Sequence, residues 1–370
     1  MPKNTKHFPL PRQKRTLLLL EWCAGFRPAG SIWVLLLALR GFSLVEIGAA
    51  EGVFHAVSLC GELPSGLLAD LLGRRRTQAM FLLSPLLLMC SESLTGVCLS
   101  MAVLALGFNL QSGTREAMAY ETMLQAGQED GYLKFSSLQN AVYRLSDGGA
   151  MLLAGATMIL GWRRACLLDA AIALLGLAAA LSLTEPVCPG REGPAATPRA
   201  LPAALRDTIL GAWDLLRTDR TAVAIMLVNA LIGACATLTR FFLQERVEAA
   251  VTAPALLGPA LFALGLGGGL AGLITAPLDR LPYRKAAALA GTGTVLCALL
   301  SRGTLLPVLM ASGLAAGMLD DALQLVSDKR LNARFPSAQR ATLVSVSSMA
   351  FSLFMIPLSP LFGWMQSAGL

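Results

Sequence analysis

Residues Ser65–Gln78 read SGLLADLLGRRRTQ, a stretch that begins apolar and ends strongly basic. Gly66, Leu67, Leu68 and Ala69 come before Asp70, and Leu71, Leu72 and Gly73 lead into Arg74, Arg75 and Arg76. Long apolar runs flank it on both sides. A short, basic turn between two such runs is what a chain shows where it leaves a bilayer and re-enters it. Lipid tolerates no unpaired backbone or bare charge, and the arginines collect on one face of the membrane.

The whole chain fits that setting. Of 370 residues, 55% are hydrophobic and only 14% charged, with a mean hydropathy of +0.62. Soluble domains carry about 25% charge. The net charge of +7 is spread between apolar runs. No basic stripe interleaved with aromatics is present, which argues against a nucleic-acid partner. Apolar segments near the ~20 residues of a bilayer crossing recur at 17–39, 43–70, 77–97, 100–122, 138–160, 164–184, 222–243, 253–277, 286–302, 305–327 and 341–363. They are continuous rather than alternating, so an all-α polytopic membrane protein with eleven spans is predicted, not a β-barrel.

Placing the N-terminus in the cytoplasm puts 21 of the 30 Lys and Arg residues on the inner side and six in outer loops, among them Arg240. That bias predicts a multi-pass inner-membrane protein. The first run is too long for a cleaved leader and lacks a small-residue cleavage site. The eight cysteines show no metal-ligand spacing and read as small buried hydrophobes.

Residues 185–220 divide the chain. The first part, EPVCPGREGPAATPRA, is rich in Pro and Gly. The second places Leu205, Ile209, Trp213 and Leu216 at helical spacing, which reads as an amphipathic helix on the inner surface. Residues 1–184 then form a bundle of six spans, and 221–370 a bundle of five. An offset of 209 lays Asp70 on Asp279, Arg75 on Arg284 and Arg76 on Lys285, and carries spans 1–5 onto spans 7–11. Parallel repeats of this kind build transporters whose halves rock against each other.

The stretch Gly66–Arg76 resembles the motif between helices 2 and 3 of the major facilitator superfamily, which reads Gly, three residues, Asp, a basic residue, any residue, Gly and two basic residues. Gly66, Asp70, Gly73, Arg74 and Arg75 match it, and Leu71 stands where a basic residue is usual. The wider stretch Gly41–Arg76 is similar to bacterial transporters of that superfamily. The resemblance implies two pseudo-symmetric six-helix bundles. The chain ends soon after its eleventh span, so helix 12 is expected to be missing. By the same resemblance Asp70 faces the start of helix 11, and Arg74 or Arg75 pairs with Glu121, latching the halves. The alternative for this turn is a basic loop with no gating role.

Charges inside spans are costly and usually face a cavity or a partner. Arg27 in helix 1 and Glu116 in helix 4 are read as the central pair, joined by Arg144 and Asp147, which are one turn apart in helix 5. Glu51 and His55 share a face of helix 2, where His55 reads as a relay or as a satisfied interior group. Asp320 and Asp321 are adjacent, and only one of them is expected to line the cavity. The run LGLGGGLAGL in helix 8 spaces Gly265 from Gly269 and Gly268 from Gly272 by four, a pattern for close helix packing.

No nucleophile, metal or phosphate motif of an enzyme is present. The expectation is a secondary transporter, working as a monomer in lipid without a cofactor, exporting a small solute against a proton gradient. Glu116 would be the coupling carboxylate, its proton affinity following the approach of Arg27 or Arg144. Uptake of a nutrient, or a sensor that moves nothing, are the alternative readings.

Overall fold

The computed structural model describes residues 9–72, 87–88, 91–111, 114–184, 206, 210, 217, 219–335 and 340–368, with the backbone alone for 63–72, 114, 116–117 and 340–342. Every regular element among them is helical. The first pass comprises α1 (Leu10–Gly25), a single 3-10 turn (Gly30–Ile32) and α2 (Trp33–Leu39). Then come α3 (Leu44–Leu72), α4 (Leu94–Gln111), α5 (Thr114–Gln125), α6 (Tyr132–Leu152), α7 (Ala154–Leu160) and α8 (Trp162–Ser182). After the connector follow α9 (Arg220–Ala250), α10 (Pro254–Leu270), α11 (Gly272–Asp279), α12 (Tyr283–Leu300), α13 (Leu306–Asn332) and α14 (Arg340–Ser367). Eight helical segments among the described residues are long and apolar enough to cross a membrane.

The two ends of the bundle can be told apart by which turns meet. Gln13 exchanges hydrogen bonds with Thr184 at 2.8 and 3.1 Å, and Lys14 reaches Gln128 at 3.4 Å. The N-terminus, the turn after α5 and the end of α8 therefore share one end, here named the connector side. At the far side Arg40 donates to the carbonyls of Leu88 and Ser91, its guanidinium lies 4.3 Å from the Trp162 ring centroid, and Arg163 stands 3.8 Å from Glu92.

Several expected spans are broken or shifted. Hydropathy makes span 1 a single helix, yet α1 stops at Gly25, and Phe26–Ala29 are non-helical. Pro28 has no N–H to give. The exposed amides of Ala29 and Gly30 donate instead to the Asp169 carboxylate of α8, at 3.0 and 2.8 Å. Span 4 begins at Leu94 rather than near 100, because Ser91–Ser93 form the far-side turn. Span 8 parts at Ala271, beside its glycine run. Span 7 continues through Ala250, and Arg240, within the expected 222–243, is inside α9 rather than in an outer loop. Most of the span expected at 77–97 lies outside the described residues, as does the amphipathic segment. Arg206, Leu210 and Arg217 alone are described there, helical and exposed.

The halves meet along two crossings. Helix α3 packs along α14, and α6 and α7 pack on α10. The 209 offset maps α3 onto α10 and the pass of α6 and α7 onto α14, so each crossing is the repeat image of the other. At each, glycine on both helices lets backbone meet backbone. A Cβ on Gly48 would come within 2.3 Å of the Ser359 carbonyl oxygen, and one on Gly363 within 2.1 Å of the Leu44 oxygen. At the second crossing a Cβ on Gly258 would stand 2.0 Å from the Leu152 oxygen, and one on Gly155 2.1 Å from the Pro254 oxygen.

All four contacts belong to the far half of the bundle, and so does the apolar packing between the two repeats among the described residues. One cluster joins Leu35, Leu36 and Cys166 to Val247, Leu261 and Leu264. Another joins Leu37, Ile47 and Met101 to Leu238, Phe242 and Met355. Among the described residues the buried clusters of the connector side stay within one repeat each: Leu17, Met118 and Phe135 in the first, Ile225, Leu331 and Leu343 in the second.

Candidate functional site

Between the repeats is a chamber of about 600 Å³. Its walls run from Phe54, His55 and Phe351 in the middle of the bundle to Leu331, Asn332 and Leu343 at the connector side. A second chamber of about 350 Å³ reaches into the first repeat between Arg27, Trp33, Gln111 and Arg115. Phe54, His55, Phe108, Thr237 and Phe351 line both.

His55 and Glu51 are brought together as their helical spacing implied. Nε2 of His55 lies 3.3 Å from Glu51 Oε1, and Nδ1 lies 3.1 Å from the Ser352 hydroxyl of α14. The rings of Phe54 and Phe351 meet the imidazole edge-on, at 5.1 and 5.5 Å. Both polar side chains are buried. His55 is thus an interior group with partners on both nitrogens, placed where the two repeats cross and the two chambers join.

Arg27, in the break of helix 1, lies near Asp147 and Asp169 and attracts both carboxylates. Asp147 also bonds Ser31 and feels the Arg144 guanidinium, which is itself exposed. Of the expected group, Arg27, Arg144 and Asp147 thus lie near one another, with Asp169 beside Arg27. The side chain of Glu116 lies outside the described residues. So does the side chain of Asp70, Gly66 is described by its backbone alone, and Gly73, Arg74 and Arg75 lie outside altogether; the latch they would make with Glu121 is therefore not described.

The position that the 209 offset pairs with Asp70 has contacts of its own. Asp279, the counterpart of Asp70, accepts from Lys329 at 2.5 Å and stands 3.6 Å from Arg330. Arg330 also donates to the carbonyls of Asp279 and Leu281, at 2.9 and 3.0 Å. These contacts tie the turn after α11 to the end of α13 within one repeat.

Two ion pairs go beyond what the sequence indicates. Glu21 of α1 is 2% exposed. Its Oε1 faces Arg115 Nε at 3.1 Å and Gln139 Nε2 at 3.2 Å, while Oε2 is buried without a hydrogen bond. Burying one unpaired acceptor costs about 1–3 kcal/mol, so this carboxylate is poised to gain from a proton or a donor. Arg115 extends from Glu21 into the second chamber, 5.4 Å from the Tyr143 ring centroid. In the second repeat Arg240 stands 3.6 Å from Asp320.

Asp320 and Asp321 both line the larger chamber, contrary to the expectation that only one would. Asp320 leans toward α9, where a Cβ on Gly233 would be 3.1 Å from its Oδ1, and Asp321 toward α10, where a Cβ on Gly268 would be 2.2 Å from its Oδ2. The glycine pattern in helix 8 is corrected accordingly. Gly267 meets the Leu314 backbone and Gly268 meets Asp321, whereas Gly269 and Gly272 have nothing within 4 Å. Nearby, Asn229, Gln324, Asp328 and Ser327 form a chain of hydrogen bonds between α9 and α13 at 2.5–3.1 Å.

No family model and no curated protein matches the chain. Solved structures do. The nucleoside transporter NupG is similar with a TM-score of 0.74 at 15% identity, over 96% of this chain and 91% of that one. A bacterial homologue of the human lysosomal transporter Spinster, inward-facing and unoccupied, gives 0.70 at 17% identity over 97% and 83%. A D-xylose–proton symporter gives 0.64 at 13% over 96% and 89%. These neighbours are transporters of the major facilitator type. The likeness over nearly the whole chain shows that the chain has the fold of these transporters, that of the major facilitator superfamily.

Proposed function

We propose that the chain is a secondary transporter that carries a small solute across the cytoplasmic membrane by alternating access, coupled to protons. One observation carries this reading: the repeats are closed against each other on the far side by two apolar clusters and four glycine contacts, while the chamber between them runs to the connector side. That is one of the two states of a rocking pair. The basic residues gathered on the connector side favour a cytoplasmic N-terminus, so this state is open to the cytoplasm. The chain acts as a monomer in lipid, with no cofactor.

The coupling role goes first to Glu21 and Arg115. Glu21 holds one satisfied and one orphaned oxygen, and its arginine partner also faces the chamber. A solute or a helix movement that draws Arg115 away leaves a buried carboxylate that must take a proton. Arg27, Arg144 and Asp147 form a second set, and Glu51 with His55 a third, at the crossing.

The test uses proteoliposomes, a panel of candidate solutes and an imposed pH gradient. We expect flux that follows the gradient in the parent, and exchange without gradient-driven accumulation in Glu21→Gln. Gradient-driven accumulation that persists in Glu21→Gln rejects the coupling role, and absence of flux for every solute supports the sensor reading. Export is the direction we put first. Uptake is the second reading, supported by the likeness to a D-xylose–proton symporter; the sign of the gradient that drives flux separates the two.

A further inference from the structure

We propose that the solute held in the larger chamber is an organic cation; this rests on the transporter reading above. Asp320, Asp321 and Asp328 of α13 and Glu62 of α3 line that chamber, and no lysine or arginine is among the described residues that line it. Arg240 answers Asp320 alone. Lys329 and Arg330, the next cations along α13, are engaged with Asp279 outside the chamber. Asp328 is held by the neutral amide of Gln324 at 2.9 Å. Among the described residues Asp321 has neither an ion pair nor a hydrogen bond.

The space that these carboxylates occupy is kept open by the helices opposite. Any side chain at position 268 would take the place of Asp321 Oδ2, and one at 233 would crowd Asp320. Both acids can therefore sit at the wall at once, although they are adjacent in sequence. Phe54, Phe108 and Phe351 line the same chamber. Aromatic faces attract a cation and accept an apolar body, and carboxylates at membrane depth gain strongly from a positive partner. An anionic solute would meet the same groups as repulsion. The chamber thus selects by sign of charge, with the aromatic wall taking up the rest of the solute.

Tetraphenylphosphonium and tetraphenylborate share one shape and differ in sign, so they separate charge from hydrophobicity. Equilibrium dialysis against the purified full chain should show phosphonium binding well above borate. Asp321→Asn and Asp328→Asn, each checked by thermal unfolding, should weaken phosphonium binding by about tenfold, or 1.4 kcal/mol. Borate binding as tightly as phosphonium overturns the inference, as does phosphonium binding unchanged in both variants. Liposome flux distinguishes the two levels of the argument. Flux of neutral or anionic solutes alone sinks the charge assignment and leaves a transporter standing, while flux of none sinks the transporter reading itself.

Discussion

Replacing Gly258 by alanine should open the far side. In the structure the added Cβ would be 2.0 Å from the Leu152 carbonyl oxygen and 2.7 Å from its carbon, both of them backbone. No rotamer change relieves such a contact, so α10 and α6 must separate by more than an ångström. Overpacking of this kind costs about 1–3 kcal/mol. The cost applies only while the far side is closed. Alanine also favours the helix by about 1 kcal/mol over glycine, and it does so in both states, so the fold itself is not weakened. Taking about 2 kcal/mol as the differential, the ratio of open to closed rises about thirtyfold. Cys166 is a built-in reporter. It belongs to the far-side cluster that joins the repeats, and it is 4% exposed. Its labelling by a membrane-impermeant maleimide, followed by mass spectrometry of the peptide, should accelerate by about the same factor. Gly48→Ala should behave likewise through the other crossing, where its Cβ would be 2.3 Å from the Ser359 oxygen. Gly269→Ala is the control, since nothing lies within 4 Å of that position. If Cys166 in Gly258→Ala labels no faster than in Gly269→Ala, the crossings are not what holds the far side shut.

Two further outcomes follow from single groups. Asp169→Ala removes both acceptors from the Ala29 and Gly30 amides at the break in the first pass; with charge-assisted bonds contributing about 1.5–3 kcal/mol, the melting temperature in detergent should fall, and Asp169→Asn should recover part of the loss. Asp219 caps α9 through the amides of Ala222 and Thr221 and also meets Arg334 at 2.7 Å. The Ala222 amide first, and then Arg334, hold its carboxyl below the ordinary aspartate value. A lowered native value means that the cap's contribution is full above the unfolded pKa of about 3.9 and is lost as pH falls through the native one. Amide exchange at the start of α9 should therefore quicken only below about pH 4, and Asp219→Asn should abolish that step; a step that survives in Asp219→Asn rules out this cap as its source.

What can be read in advance, and what cannot, divides along a physical line. Hydropathy reports which residues face water or lipid, so most passes are readable, and the 209 offset, read from matched residues, carries α3 onto α10 and α6 onto α14. Helix ends are less readable. Polar Gln244, Glu245 and Arg246 put the end of span 7 at 243, yet α9 continues to Ala250, and Arg240, counted with the outer-loop charges, is a helical residue paired with Asp320. Pairing is hardest, because it depends on helix rotation. Arg115 and Glu116 are neighbours about 100° apart on one helix, and nothing in their order says which of them faces helix 1. The structure turns Arg115 to Glu21, a contact the sequence carries only as two charges 94 positions apart. The glycine contacts illustrate the same limit from within the repeat. Under the 209 offset Gly48 falls one residue before Gly258, and Gly155 one residue after Gly363. Residue identity therefore misses the correspondence, although the two crossings are built alike. What the repeats preserve is the place where two backbones touch. A one-residue step changes the level along a helix axis by only about 1.5 Å, so the height at which the helices cross is kept although the residue numbers slip. This is why the crossings keep the twofold relation while the charged groups of the two repeats, Glu21 with Arg115 in one and Asp320 with Arg240 in the other, do not overlay, and why, under the proposed transport, the two halves would share one closing movement while presenting different chemistry to a solute.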